Sequence, residues 1–253
     1  MMPALFIGHG NPMNAIEENA FTDSLREVGK SLQKPKGVLF ISAHWTTPYT
    51  AVGLHDVDSL MYDMYGFAKE LYDVEYKVEN ADFLIPKLQN IIPSLRIENR
   101  DLDHGVWSVL LHLFPNADIP VIQLSINTSL SLKEHFELAK ALSVLRESDV
   151  MIIASGNVTH NLREAVLWDK DAPIAEWAEE FDGFIKDALL AREYDTLIEF
   201  EKKQRYARLA HPTLEHFIPL LYTAGVSRKE DTIRFIYEGM EHGSLSMRSW
   251  MVS

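Results

Sequence analysis

Three apolar runs, each ending in small residues and followed by a histidine, constrain this chain more than anything else in it. The first is Ala4-Leu5-Phe6-Ile7, which turns through Gly8-His9-Gly10. The second is Gly37-Val38-Leu39-Phe40-Ile41, which closes on Ser42-Ala43-His44-Trp45. The third is Val150-Met151-Ile152-Ile153-Ala154, with Ser155-Gly156-Asn157 after it and His160 just beyond. Apolar runs of this length beside glycine read as buried strands. Open α/β sheets bind ligands at the carboxyl ends of their strands. Three such strands delivering His9, His44 and His160 to one sheet edge make a metal-site pattern. The glycines allow a tight turn and close approach to the backbone, and the small neighbours leave room for a ligand.

Strand-like and helix-like stretches alternate along most of the chain, the signature of a layered α/β domain. The expected fold is one domain over residues 1–253, with a mostly parallel central sheet flanked by helices. Asn14 is placed to cap a helix over about 15–32, in which Phe21, Leu25, Val28 and Leu32 keep helical spacing. That unit makes the first two strands a parallel pair with a right-handed crossover. Residues 54–67 carry Tyr, Met and Asp without a period and read as an ordered loop of functional interest. Tyr62, Met64 and Tyr65 are expected to cover the site and touch an aromatic ring. Residues 104–114, 132–145, 175–190 and 213–222 read as helices, with Glu215 and His216 in the first turn of the last. Adjacent helix positions point apart, so only one of that pair faces a common site.

Composition narrows the chemistry. The formal charge of −13 argues against nucleic acid and anionic membranes as partners. The absence of cysteine excludes disulfides and thiolate sites, so any metal is held by His, Asp or Glu. No apolar run reaches transmembrane length, and the first strand begins too early for a signal peptide. A cytoplasmic protein is the expectation. Walker loops, dinucleotide fingerprints, Gly-x-Ser-x-Gly elbows and His-Glu-x-x-His helices are all missing.

Histidine therefore carries the remaining possibilities. Beyond the strand-end residues, His104, His211, His216 and His242 are candidates. His104 follows Asp103, which is placed to orient its imidazole. Asn157 and Asn161 beside His160 also suit helix capping. His55 is ordinary, His112 lies on an apolar helix face, and His135 sits on a helix surface beside Lys133 and Glu134.

The segments GHGNPMN, SAHW, DHGVWSVL, IPVIQLSI, ASGNVTHNL, HPTLEHFIPLLY and GSLSMRSW together resemble the DOPA 4,5-dioxygenase group. That group belongs to the class III extradiol ring-cleavage dioxygenases, and the motifs fall in order from residue 3 to about 250. The resemblance implies a catechol-type aromatic diol and O₂ as substrates, a semialdehyde product, and one divalent ion, Fe(2+) or Zn(2+). It further implies His9, His44 and His216 as metal ligands. His160 would be a further ligand or the catalytic base, and His104 an acid–base group or substrate anchor. The better-known branch completes its site with two His and a Glu; here the equivalent position offers His216, with Glu215 beside it. An all-histidine set suits zinc as well as iron. Leu214 also stands where many relatives have proline. A zinc hydrolase and a non-enzymatic metal-binding interaction protein on the same fold stay open as alternatives.

Overall fold

The computed structural model describes residues 1–253. The strands are β1 (Ala4–Gly8), β2 (Gly37–Thr47), β3 (Ala51–Leu54), β4 (Arg96–Asn99), β5 (Val121–Asn127), β6 (Val150–Gly156), β7 (Ile233–Tyr237), β8 (Met240–Glu241), β9 (Leu245–Ser246) and β10 (Ser249–Val252). Eight of them form one sheet in the order β4-β3-β5-β2-β6-β1-β10-β7, while β8 and β9 pair separately. The central four, β5, β2, β6 and β1, run parallel. The edges bring in antiparallel pairs, β3 against β5 and β10 against both β1 and β7. The sheet is thus mostly parallel and helix-covered, as the alternating pattern predicts.

The strands are apolar throughout because both faces are buried. Successive side chains point to opposite faces, and the core divides accordingly. Phe6, Leu39, Ile152 and Ala154 face one layer, together with α5 (Leu132–Leu142), α6 (Glu176–Leu190) and α10 (Ile218–Val226). Leu5, Ile7, Phe40, Met151 and Ile153 face the other, with α1 (Ala20–Ser31) and α4 (His104–Leu113). The remaining helices are short: α2 (Lys69–Tyr72), α3 (Ile85–Ile91), α7 (Tyr194–Ile198), α8 (Phe200–Lys203) and α9 (Ala207–Ala210).

Two expectations change. The helix placed over residues 15–32 splits into a 3₁₀ turn at Pro12–Ala15, capped by Asn11, and α1, capped by Asn19 in a reciprocal capping box with Thr22. Asn14 is not a cap; its side chain bonds the His9 carbonyl and Asn19. In addition, β1 and β2 are parallel but not adjacent, because β6 lies between them and pairs with both. That insertion matters for function. It places the carboxyl ends of β1, β6 and β2 side by side, so His9, His160 and His44 converge on one edge.

Candidate metal centre

Each histidine of the centre is aimed by a local device. His9 leaves β1 at its end, and its N–H donates to the Gly156 carbonyl at 3.1 Å. His44 lies inside a break in β2: the register with β5 runs Ile41 to Leu124 and then jumps to Thr46 with Ile126. More residues of β2 than of β5 occupy that interval, which is bulge behaviour, and bulges re-aim side chains beside active sites. His104 opens α4. His216 sits one turn before α10, which starts at Ile218 with Pro219 in its first turn. The expected helix over 213–222 therefore begins later, and His216 belongs to the turn preceding it. Proline favours that first-turn position because its missing N–H is an orphan there anyway. The turn lies so close to β6 that a β-carbon on Gly156 would stand 2.2 Å from the His216 carbonyl oxygen.

These residues line one cavity of about 340 Å³, formed by His9, His44, His104, His160 and His216, together with Met64, Phe67 and other side chains. His9, His44 and His104 each offer a ring nitrogen within 4.8 Å of the others. His104 thus stands nearer the first two than the sequence places it. The His216 ring lies 5.0 Å from that of His44 and 5.6 Å from that of His9. His160 stacks on His216 at 3.5 Å, nearly parallel. Of the adjacent pair, His216 faces the cavity while Glu215 lines an outer groove.

The outward nitrogens are tied down. His9 Nδ1 bonds Ser155 Oγ at 2.8 Å. Asp63 serves two rings: Oδ1 accepts from His104 Nδ1 at 2.7 Å, and Oδ2 lies 3.4 Å from His44 Nδ1. Oδ1 also accepts the His104 backbone N–H at 3.0 Å. Burial alone would raise the Asp63 carboxyl, but the hydrogen bond from His104 and the charges of His104 and His44 win and hold it at about 2. An ionised carboxylate orienting histidines in this way is the usual support for metal ligands. Asp103 does not fill that role. Its carboxylate bonds Ser42 Oγ at 2.6 Å and Gln123 Nε2 at 2.5 Å, which braces β2 and β5 beneath the site. Asp63 was not singled out from the sequence; the only signal was its place in the loop at residues 54–67. Of the aromatic residues expected to cover the cavity, neither Tyr62 nor Tyr65 lines it. Tyr62 bonds the Val74 carbonyl and rests against Trp107, and Tyr65 is 92 % exposed. Met64, the third residue expected there, does line it, together with Phe67.

The residues present fit a metal ion. His9 Nε2 and His44 Nε2 are 3.1 Å apart, the separation of two nitrogens each about 2.0–2.1 Å from one ion. His216 is more telling, since its Nε2 is buried without a hydrogen-bond partner and its Nδ1 has only the Glu215 carboxylate, 3.5 Å away. Burial, followed by the neighbouring histidines, drives His9 and His216 well below the ordinary range. Burial likewise lowers His44 to about 4, with His104 adding to the effect, and His160 to about 3, with His211 and His44 adding. All four are neutral at physiological pH, the form that binds metal. Replacing Asp63 by asparagine should keep the volume but release both rings. Metal affinity or turnover is expected to fall about 10–100-fold, and a titration matching that of the native protein would remove Asp63 from the centre.

Four further histidines are structural, while His242 lines the cavity. His211 Nε2 bonds the Val158 carbonyl at 2.8 Å among Phe181, Phe200 and Phe217. His112 bonds the Asn14 carbonyl, and His55 that of Val78. His135, expected on a surface, is fully buried beside Phe136 and Ala139, with Nδ1 3.1 Å from the Tyr222 hydroxyl. Burial lowers both His135 and His211 from 6.5 to about 4. The unfolded chain therefore takes up these protons first as pH falls. Stability is complete above about 6.5 and is lost between that pH and about 4, at about 2 kcal/mol for each residue by pH 5. Urea midpoints measured from pH 8 to 5 should fall only below pH 6.5, and His135→Gln should flatten the slope.

Residues 3–247 match the family described as the catalytic LigB subunit of aromatic ring-opening dioxygenase. The chain belongs to this family. LigB membership makes it an aromatic ring-opening dioxygenase, and its relatives place it in the extradiol branch. It is 38% identical to the 4,5-DOPA dioxygenase extradiol of Escherichia coli K12, over 98% of this chain and 93% of that one. The Beta vulgaris 4,5-DOPA dioxygenase extradiol is 34% identical, over 97% and 94%. The crystal structure of an uncharacterized Escherichia coli K12 protein superposes with a TM-score of 0.86 at 35% identity, covering both chains fully. The resemblance expected from the motifs is thereby confirmed, and the hydrolase and interaction-module alternatives give way to it. No helix is long and apolar enough to cross a membrane.

Proposed function

We propose that this chain opens the ring of a small catechol-type, DOPA-like diol beside its hydroxyl pair, using O₂ and one divalent ion, Fe(2+) or Zn(2+), to give a semialdehyde. Residues 1–253 work as one catalytic domain, and the cytoplasm is its proposed compartment. His9, His44 and His216 hold the ion, with His160 within reach. The observation that carries this reading is His216, whose Nε2 is buried without a partner beside two other imidazoles. A buried polar group without a partner is costly, and an ion removes that cost. The ion supplies a Lewis acid for the two diol oxygens and, where it is iron, an exchange of electrons with O₂.

The protein's own groups handle orientation and protons. Met64 and Phe67 give the cavity an apolar wall against which the diol ring packs. His160, neutral as its lowered pKa requires, takes a hydroxyl proton on a ring nitrogen. His104 holds its Nδ1 proton against the ionised Asp63 carboxylate, which leaves Nε2 to exchange a proton with the substrate. That arrangement, a carboxylate fixing the tautomer of a catalytic imidazole, follows the logic of hydrolytic triads. His104 therefore acts on substrate although its ring stands beside those of the ligands.

Chelation followed by separate reloading with Fe(2+) or Zn(2+) tests this reading. Catechol-dependent O₂ uptake restored by at least one of the two ions is expected. Undiminished activity in the chelated, metal-free protein would refute it.

A further inference from the structure

A second recess opens beside the metal cavity. His160 and Leu162 line both. The outer groove has a volume of about 430 Å³, and Arg163, Thr213 and Glu215 stand among the residues that complete it. A ring held at the metal centre therefore has room on the His160 side for a substituent that passes Leu162 into this groove.

The groove carries one charge of each sign, and the two are not paired with each other. Glu215 is the anion. Its Oε1 accepts from Thr213 Oγ1 at 2.7 Å and lies 3.5 Å from His216 Nδ1. Arg163 is the only lysine or arginine that lines either recess. Its one hydrogen bond with a side chain is made by the backbone, whose N–H donates to Asn161 Oδ1 at 3.1 Å. The guanidinium itself is exposed and free. The backbone beneath it is well fixed. Asn161 is buried and its Nδ2 donates to the Leu209 carbonyl at 2.7 Å, while His160 N–H donates to the Ala210 carbonyl at 3.0 Å. Leu209 and Ala210 lead directly into the segment that ends on Glu215, so both charges are mounted on one frame.

Two opposite charges left apart in one recess suit a ligand that carries both. A net charge of −13 repels a simple anion at long range, but a zwitterion has no net charge to repel. The planar fork of a guanidinium matches a carboxylate, with two parallel N–H donors on two oxygens. A carboxylate such as that of Glu215 accepts from the N–H groups of an ammonium. A neutral alkyl substituent uses neither group.

We infer that Arg163 and Glu215 form a specificity subsite for an α-amino-acid group on the diol, with Arg163 taking the carboxylate and Glu215 the ammonium. This inference rests on the catechol reading above, and its test is separable from it. Dissociation constants are measured without O₂, by calorimetry on metal-loaded protein, for catechols carrying an ethyl, aminoethyl, carboxyethyl or α-amino-acid side chain para to one hydroxyl. In the native protein the amino acid should bind tightest, about tenfold tighter than the ethyl compound, since each of two partly exposed charge contacts is worth a few-fold. That advantage should shrink as salt is raised. Arg163→Gln should bring the amino acid and the aminoethyl compound, which differ only in the carboxylate, close to parity; Arg163→Lys should recover part of the difference. Glu215→Gln, compared at equal metal content, should do the same for the amino acid against the carboxyethyl compound. An amino-acid advantage unchanged in Arg163→Gln, or equal binding of the amino acid and the ethyl compound by the native protein, would overturn the assignment. Turnover of the same compounds once O₂ is admitted reads the ring-opening reaction separately, and its failure would leave the binding comparison standing.

Discussion

Replacing His9 or His44 by alanine is expected to abolish metal retention in a chain that still folds. Both residues stand at strand ends, with Nε2 atoms 3.1 Å apart, and no cysteine exists to substitute for either. Losing a group that merely orients a ligand costs about 10–100-fold in affinity; losing a ligand itself should exceed that. Neither ring belongs to the apolar clusters on the two faces of the sheet. Circular dichroism should therefore be native-like while metal analysis of the dialysed variants reads near zero. Full occupancy in both variants would sink the assignment. Removing His216 should behave in the same way, and its unpartnered Nε2 makes it the third residue to try.

The second large effect separates His160 from His104. If His160 is the base, its replacement by alanine lowers turnover by about 10²–10⁴-fold, while metal content stays largely intact because three other imidazoles remain. If it is instead an essential ligand, His160→Ala loses metal as readily as His44→Ala. The stacked contact with His216 at 3.5 Å keeps it beside the ion in either case, so metal content and turnover have to be read together. His104→Ala should depress turnover or substrate orientation and leave the metal in place, because its Nδ1 is committed to Asp63. It also offers a ring nitrogen within 4.8 Å of those of His9 and His44, which makes this the stricter test. Metal loss from His104→Ala would move His104 into the ligand set and require the proton-handling roles to be reassigned.

The outline of this centre was legible in the sequence because strand ends announce themselves. An apolar run closing on glycine or serine and then histidine carries both its burial and its exit point. Strand order is not local in the same way. Nothing between residues 8 and 37 reveals that β6, more than a hundred residues later, will enter between β1 and β2. Asp63 was hidden for the same reason. It reaches His104 across 41 positions of chain, from a loop without periodicity, and Asp103 looked the better partner because it is the immediate neighbour. In the structure Asp103 turns inward to Ser42 and Gln123. His135 misled through its charged neighbours Lys133 and Glu134. A helix rotates about a hundred degrees per residue, enough to carry the next side chain from solvent to the core, where its Nδ1 meets the Tyr222 hydroxyl. The re-aiming of His44 by the break in β2 depends on pairing with β5 and leaves no mark in SAHW itself.

The most direct measurement is oxygen consumption with product analysis. Metal-free protein is loaded with Fe(2+) under anaerobic conditions, mixed with a catechol, and admitted to O₂ in an electrode cell. Uptake of one O₂ per catechol, with a ring-opened semialdehyde as product and no uptake by the His9→Ala protein loaded in the same way, is the predicted result. Oxygen uptake that yields only a quinone, or equal uptake by the His9→Ala protein, would contradict it.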